Sequence, residues 1–146
     1  MTIAKLAGSG RRILVIDDDL AIRVLLKAVL TRMNFEVELA EDGLAGLEKL
    51  TSSRPFDLIL LDLMMPRLNG YEFVDGIGAL PLPSRPHIVV FTAAGKRGVE
   101  KIQPGSVCSA ILKPFDLDRF LAIMGECLDG GHQTATRRLA SAADQP

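Results

Sequence analysis

The amino-acid sequence predicts an α/β protein in which helices cover both faces of a doubly wound parallel sheet. Apolar runs of strand length recur along the chain. Most of them do not alternate with polar residues, as is typical of strands buried on both faces. These runs lie at 13–16, 37–40, 58–61, 88–91 and 110–112. Segments with the apolar spacing of helices separate the runs, so five consecutive strand–helix units are predicted.

The predicted helices follow the strands in order, and most have a recognisable start. They span 19–32, 43–53, 69–79, 96–103 and 116–128. Asp19 is expected to cap the first helix, Asp42 or Gly43 opens the second, and Asp116 is expected to cap the last.

Two helices and one connection have further features. The first helix carries Leu20, Val24 and Ala28 on one face, as expected of an amphipathic helix. The fourth has two glycines near its start and Pro104 beyond its end, so it is expected to be short and mobile. Segment 80–86 contains three prolines and is predicted to be an extended approach to the fourth strand.

The composition indicates one soluble globular domain. The chain has 146 residues, of which 48% are apolar and 24% charged. Its net charge of −1 gives no general electrostatic reason to bind nucleic acid or an anionic membrane. No stretch approaches the roughly 20 apolar residues of a membrane span, and the N-terminus lacks the apolar core of a signal peptide. We therefore expect a cytoplasmic protein without a direct nucleic-acid or membrane partner.

The folded domain is expected to span residues 11–128, between a flexible N-terminus at 1–10 and a flexible tail at 129–146. The tail is polar and rich in small residues, and no output domain is expected after it. Cys108 and Cys127 have no close-spaced Cys or His companions, so neither a zinc site nor a disulfide framework is indicated. Reduced, partly buried thiols are expected at both positions.

Charged and polar residues follow the predicted strands. Asp17, Asp18 and Asp19 close the first strand, and Asp62 closes the third. Thr92 and Lys113 end the fourth and fifth strands. Because ligand sites of open α/β sheets form outside the carboxyl ends of the strands, these side chains are expected at one edge, where acids and a base could assist phosphoryl chemistry.

An ordered set of motifs resembles the receiver domain of response regulators in two-component signalling. The motifs are ILVIDDD at 13–19, DLILLDLMMP at 57–66, NG at 69–70, FTA at 91–93 and LKPF at 112–115. The resemblance covers about residues 11 to 128, and the set with these spacings is highly specific. It implies a flavodoxin-like (βα)5 fold whose five-stranded parallel sheet has the order 2-1-3-4-5.

The resemblance also implies a role for each site residue. Asp62 would be the phosphoacceptor, a carboxylate that attacks phosphorus and forms an acyl phosphate. Asp17, Asp18, Asp62 and the backbone carbonyl of Met64 would hold Mg²⁺ or Mn²⁺. Thr92 and Lys113 would each contact a phosphoryl oxygen. In this family the bond between Lys113 and Pro114 is cis. Asp19 is expected to act as a helix cap only.

The chain departs from the family pattern at Ala110, where receiver domains usually carry an aromatic residue. We therefore expect switching by rearrangement or ordering of segment 93–106 rather than by an aromatic rotamer. Met64 and Ala94 border the family's path for attacking water, and neither side chain can orient water by hydrogen bonding. Slow to moderate self-dephosphorylation is predicted.

The function implied is a stand-alone phosphoacceptor switch, loaded on Asp62 by a sensor histidine kinase or a histidine phosphotransfer protein. It would act on an unidentified downstream protein, as a monomer or a weak phosphorylation-linked dimer, and turn over no metabolite beyond its own phosphorylation and dephosphorylation. A receiver-like interaction module that is never phosphorylated is one alternative. A haloacid-dehalogenase-type phosphatase is another, favoured by the Asp17-x-Asp19 pair but not by Ala21 or by the residues after Thr92.

Overall fold

Strands and helices alternate strictly in the computed structural model, which describes residues 10–52 and 54–130. The strands are β1 (Arg12–Ile16), β2 (Glu36–Ala40), β3 (Leu58–Leu61), β4 (His87–Thr92) and β5 (Ser109–Leu112). The helices are α1 (Leu20–Arg32), α2 (Gly43–Ser52), α3 (Gly70–Gly78), α4 (Gly95–Glu100) and α5 (Leu117–Leu128). The flexible segments predicted at 1–10 and 129–146 lie almost entirely outside the described residues.

The strands form one parallel sheet in the order β2-β1-β3-β4-β5, which confirms the predicted fold class and strand order. Its register aligns the carboxyl ends of the strands. Ile16 pairs with Ala40 on one side and with Leu61 on the other. The residues that follow β1 and β3 therefore emerge side by side. Thr92 pairs with Leu112, so Lys113 follows directly beside the end of β4.

Strand residues alternate between two hydrophobic cores. Val15, Leu60 and Phe91 face a core formed with α1 and α5, which we name the α1–α5 core. Their neighbours along each strand face the other side, where α2, α3 and α4 pack; we name this the α2–α4 core. Burying one Leu, Val or Phe side chain contributes about 1.5–3 kcal/mol, so both layers stabilise the sheet and hold its functional edge in place.

Helix α1 turns a different face inward from the one the sequence suggested. Leu20 and Val24, on the predicted apolar face with Ala28, are 63% and 57% exposed, whereas Leu26 and Leu30 are fully buried. The physical reason is that α1 has apolar residues on nearly every side, so its sequence contains two competing apolar stripes. The stripe that faces the sheet is selected by packing against β1 and β2, which periodicity alone does not reveal.

The helix boundaries follow the predicted signals, with two exceptions. Asp19 caps α1, its carboxylate accepting a bond from the Ala21 amide at 2.9 Å. Asp116 occupies the N-cap position of α5, but its side chain makes no capping bond. Helix α4 ends at Glu100, three residues before the predicted end. Pro104 has no amide hydrogen and cannot continue the helical hydrogen bonds. The last turn closes instead with bonds that the amides of the two residues after Glu100 donate to carbonyls three residues earlier.

The prediction of two reduced cysteines is wrong for this structure. Cys108 and Cys127 form a disulfide with an S–S distance of 2.02 Å and a Cα–Cα distance of 6.1 Å. The reason is tertiary: Cys108 directly precedes β5, and Cys127 lies in the last turn of α5, which packs back over the start of that strand. Residues far apart in the sequence thereby reach bonding distance, which their spacing did not indicate.

Across the part of the chain that the structure describes, every helix is too short or too polar to cross a membrane.

Candidate functional site

Two neighbouring strands deliver the central carboxylates. Asp17 and Asp62 directly follow β1 and β3. Their backbones continue the sheet's hydrogen bonds, because the amide of Asp62 donates to the carbonyl of Ile16 at 3.0 Å and the amide of Asp17 donates to that of Ala40 at 3.1 Å. Both carboxylates therefore stand at the same sheet edge, as the sequence predicted.

Three carboxylates converge there. Asp17, Asp18 and Asp62 each offer an oxygen, and these oxygens lie within 4.8 Å of one another. Asp17 is fully buried and Asp62 is 4% exposed, while Asp18 is exposed. Buried negative charges this close repel one another, and a hard divalent cation relieves the repulsion. A donor set of carboxylate oxygens with one open side suits Mg²⁺, which keeps several waters or phosphate oxygens.

Asp17 is held by bonds to both of its carboxylate oxygens. Oδ1 accepts a hydrogen bond from the amide of Asp19 at 2.8 Å, and Oδ2 accepts one from Nζ of Lys113 at 2.8 Å. The backbone carbonyl of Asp17 accepts a further bond from the guanidinium of Arg23 at 2.7 Å. This contact of Arg23 was not predicted from the sequence, because an arginine in the first turn of a helix belongs to no recognisable motif. The carboxylate is therefore fixed in orientation.

Asp62 is less firmly held. Its Oδ1 accepts a 3.3 Å bond from the amide of Met64, and its Oδ2 lies 3.6 Å from Nζ of Lys113. Burial, then the nearby charge of Asp17, raise the pKa of Asp62 to about 6, although Lys113 acts in the opposite direction. Its carboxylate is therefore ionised above about pH 6 and has an oxygen available for reaction.

Lys113 extends from the end of β5 toward these acids. Its amide donates to the carbonyl of Thr92 at 2.8 Å, and the Lys113–Pro114 bond is cis, as the resemblance implied. Burial acts to lower the pKa of Lys113, but the bond to Asp17 and the charges of Asp17 and Asp62 outweigh it and the pKa is raised. The side chain therefore remains an ammonium, and it lies 5.0 Å from the centre of the Phe91 ring.

Thr92 is fully buried at the end of β4, next to the strand that carries Asp62. Its Oγ1 accepts a bond from the amide of Ala94 at 3.0 Å. A hydroxyl that accepts one bond can still donate its own hydrogen, so Thr92 retains a donor for an anionic oxygen. The same bond fixes the start of the loop that leads to α4.

The loop between β3 and α3 is held in place by contacts with the end of β3 and with the loop before α2. A Cβ at Gly70 would lie 2.6 Å from the carbonyl oxygen of Asp62, so only glycine permits this approach. Arg67 has φ +64° and pairs with the buried Asp42 at 2.6 Å. The amide of Gly43 donates to the carbonyl of Leu68 at 3.0 Å. The Arg67–Asp42 pair, which joins two loops, was not predicted from the sequence.

The structure therefore brings together Asp17, Asp18, Asp62 and Lys113, with Thr92 at the adjoining strand end. Met64 is adjacent through its amide, and its side chain is 59% exposed beside the acids. Asp19 serves the helix cap and holds Asp17 through its amide.

Sequence comparison gives a consistent result. A family model described as the response regulator receiver domain matches residues 13–124. The chain is similar to the response regulator MprA of Mycobacterium ulcerans (strain Agy99), with 38% identity over 120 residues, which is 77% of this chain and 48% of that protein. MprA of Mycobacterium tuberculosis (strain ATCC 25177 / H37Ra) matches at the same identity and coverage. The chain thus spans about half the length of these relatives.

Solved structures share the fold. A receiver domain protein described as CheY-like, from Methanospirillum hungatei JF-1, superposes with a TM-score of 0.75 and 28% identity, covering 86% of this chain and 98% of that one. The response regulator protein TrrA of Thermotoga maritima, solved in complex with Mg²⁺ and BeF, has a TM-score of 0.70 and 30% identity, covering 81% and 98% of the two chains.

Proposed function

Because the chain belongs to the family of response regulator receiver domains, we propose that it is a phosphoacceptor switch whose acceptor is Asp62. One observation carries the proposal: the carboxylate of Asp62 lies beside two acids that could share a metal ion with it, and the ammonium of Lys113 lies 3.6 Å from its Oδ2. Receiver domains are regulators rather than metabolic enzymes, so the product is a changed state of the protein.

Asp62 supplies the nucleophile. An oxygen of its ionised carboxylate forms a bond to phosphorus as the bond between phosphorus and a histidine nitrogen of the donor breaks. The electron pair of that bond leaves with the imidazole, and Asp62 becomes an acyl phosphate. Water later attacks the same phosphorus, which releases inorganic phosphate and restores the carboxylate.

Asp17, Asp18, Asp62 and the carbonyl of Met64 would hold Mg²⁺ or Mn²⁺. The ion would neutralise charge that accumulates on the phosphoryl oxygens. The ion fits the site because three carboxylate oxygens lie within 4.8 Å of one another. Without a cation, carboxylates at this distance repel one another. The fastened β3–α3 loop supports this assignment, because it fixes the backbone around Met64 relative to Asp62.

Lys113 and Thr92 would bind the transferred group. The ammonium of Lys113 is held near Asp62 as a fixed positive charge, so a new phosphoryl oxygen could replace Asp17 as its partner. The hydroxyl of Thr92 would donate to a second oxygen. In doing so Thr92 would shift, and the start of α4 would follow because the amide of its N-cap residue, Ala94, is bonded to Oγ1.

The partners follow from this role. We propose that a sensor histidine kinase or a histidine phosphotransfer protein loads Asp62, and that a downstream protein recognises the loaded state. The MprA proteins are response regulators about twice as long as the region that matches this chain. That this domain acts alone is therefore a proposal.

A melting experiment with a phosphoryl mimic tests the proposal. Mg²⁺ should raise the melting temperature of the parent, and beryllofluoride should raise it further, because both bind only the folded site. Asp62→Asn should lose the beryllofluoride effect. Asp75→Asn, which removes an exposed acid of α3, should keep both effects. No shift in the parent with either addition would favour an interaction module that is never phosphorylated.

A further inference from the structure

Tyr71 connects α3 to α4 through a backbone contact. Its phenol donates a 2.7 Å hydrogen bond to the carbonyl of Gly98, 27 residues further along the chain. Tyr71 is half-buried and packs against the α2–α4 core, whose members Val99 and Ile102 flank the contact. The bond is therefore partly shielded from water, where a hydrogen bond contributes more than on an open surface.

The structure leaves no room for a side chain at Gly98. A Cβ built at this position would lie 2.5 Å from Cβ of Ala94 and 3.2 Å from Oη of Tyr71. Even an alanine would force one of these groups to move. The helix therefore needs a glycine at this position to keep both Ala94 and Tyr71 where they are.

Ala94 in turn is attached to the functional site, through the bond from its amide to Oγ1 of Thr92. A continuous connection thus leads from the buried hydroxyl of Thr92 to Tyr71. Thr92 accepts a hydrogen bond from Ala94, Ala94 is the N-cap residue of the helix that contains Gly98, and the carbonyl of Gly98 accepts a hydrogen bond from Tyr71.

Helix α4 depends on contacts of this kind. It has six residues, no side chain caps its N-terminus, and helices this short are not stable by themselves. Ala110, on the neighbouring strand β5, is fully buried and contributes only a methyl group to the same core. A cavity of about 190 Å³, lined by Tyr71, Lys101, Ile102 and others, leaves space beside the end of α4.

We infer that Tyr71 couples helix α4 to the phosphoryl state of Asp62, by holding the carbonyl of Gly98 in the helix whose N-cap residue is bonded to Thr92. This inference rests on the proposed function, since it requires a phosphoryl group or its mimic at Asp62. When Thr92 shifts toward that group, Ala94 moves with it, the turn of α4 that contains Gly98 is displaced, and the bond from Tyr71 changes in length. Tyr71 is a positioning residue in this account and touches no reacting atom.

The chain itself provides a probe, because Tyr71 is its one tyrosine and it has no tryptophan. Intrinsic fluorescence of the unmodified protein therefore reports Tyr71 alone. With Mg²⁺ present, the emission should change on addition of beryllofluoride, with the same midpoint as the rise in melting temperature. Unchanged emission, in protein that binds the mimic, would overturn the inference and leave the proposed function standing.

Tyr71→Phe tests the coupling directly, because it removes one hydroxyl and keeps the ring. Hydrogen exchange of the amides in 95–102 should become about fivefold faster without ligand, as expected for one lost hydrogen bond. The further change that beryllofluoride causes in the parent should fall to less than half, while mimic affinity stays within about twofold. Gly98→Ala, which disturbs the same contact from the other side, should give the same loss.

Ser52→Ala serves as the matched control, since it removes a hydroxyl that donates to the carbonyl of Glu48 on α2. It should leave the response of 95–102 unchanged. A response of parental size in both Tyr71→Phe and Gly98→Ala would overturn the inference, even with faster overall exchange. Failure of the parent to bind beryllofluoride would overturn the proposed function and this inference together.

Discussion

Lys113 donates a 2.8 Å hydrogen bond to the fully buried carboxylate of Asp17, although the proposed phosphoacceptor is Asp62. Asp62 lies farther away, at 3.6 Å from the same nitrogen. The lysine therefore partly neutralises a buried acid when no metal is bound, and it is close enough to turn to a phosphoryl oxygen. Lys113 therefore has a structural role and a functional role, and experiments can measure the two separately.

Lys113→Met should destabilise the metal-free protein by about 3 kcal/mol, because it leaves Asp17 buried without its counter-charge. Saturating Mg²⁺ should recover part of the loss. Urea unfolding with and without Mg²⁺ measures both effects. Lys49→Met is the control, since it breaks a surface pair with Glu38 and should cost about 0.5 kcal/mol regardless of Mg²⁺. Equal losses in the two variants would contradict this account.

Asp62 should make stability depend on pH. Burial, then the charge of Asp17, raise its pKa to about 6 in the folded protein, above its unfolded value near 4. The folded state thus binds the proton more tightly, and the associated stability is present below pH 4 and lost as pH rises through 6. Without metal, Asp62→Asn should therefore gain about 2 kcal/mol over the parent at pH 8 but little at pH 4.

Denaturant unfolding between pH 4 and 8 measures this difference, with Asp75→Asn as the control for loss of one charge. Mg²⁺ binding should weaken below pH 6, because protonated Asp62 is a poor ligand. An advantage of Asp62→Asn that is the same at pH 4 and pH 8 would rule out the raised pKa as its cause.

Met64 should limit loss of the phosphoryl group. Its side chain is 59% exposed beside the acids and cannot orient an attacking water by hydrogen bonding. Met64→Asn should hasten decay of the phosphorylated protein about tenfold, because an amide can position that water. Phosphorus NMR of the decaying protein provides the rate. Leu44→Asn, at an exposed position on α2, should decay as the parent does, and an unchanged rate in Met64→Asn would contradict the prediction.

Ser109 presents a buried polar group without compensation. The residue is 1% exposed, and its buried hydroxyl has no hydrogen-bond partner among the described residues. Ser109→Ala should therefore stabilise the fold by about 1 kcal/mol, because the desolvation cost disappears. Ser106→Ala is the matched opposite case, since that hydroxyl donates to the carbonyl of Gln103 at 2.6 Å. Thermal unfolding should rank Ser109→Ala above the parent, and the reverse order would indicate a partner for Ser109.

The disulfide should contribute substantially to stability. It closes a loop across 19 residues, for which loss of unfolded-chain entropy predicts about 3 kcal/mol. Reduction with dithiothreitol should lower the melting temperature and expose two thiols to alkylation after unfolding. Cys108→Ala with Cys127→Ala should melt like the reduced parent and be insensitive to the reductant. Two alkylatable thiols in the untreated, unfolded protein would contradict the bond.

The sheet and most of the site could be predicted because they depend on local pattern. Buried parallel strands are continuous apolar runs, and the register of the sheet carries the residues after each run to one edge. The convergence of Asp17, Asp62 and Lys113 therefore followed from the strand ends alone. Pro104 similarly predicted that α4 would be short.

Contacts between distant elements were not predictable from spacing. The buried face of α1 was misassigned because either stripe could have met the sheet, and only packing in the α1–α5 core selected Leu26 and Leu30. The Cys108–Cys127 bond depends on where α5 ends relative to β5. The bond from Tyr71 to Gly98 depends on the packing of α3 against α4, which no sequence motif records.

Intact mass after incubation with Mg²⁺ and acetyl phosphate, with the parent and Asp62→Asn measured side by side, tests most directly whether Asp62 is the phosphoacceptor. The parent should gain one phosphoryl group, and Asp62→Asn should gain none. Equal modification of the two proteins, or no modification of the parent, would contradict the assignment of Asp62 as the phosphoacceptor.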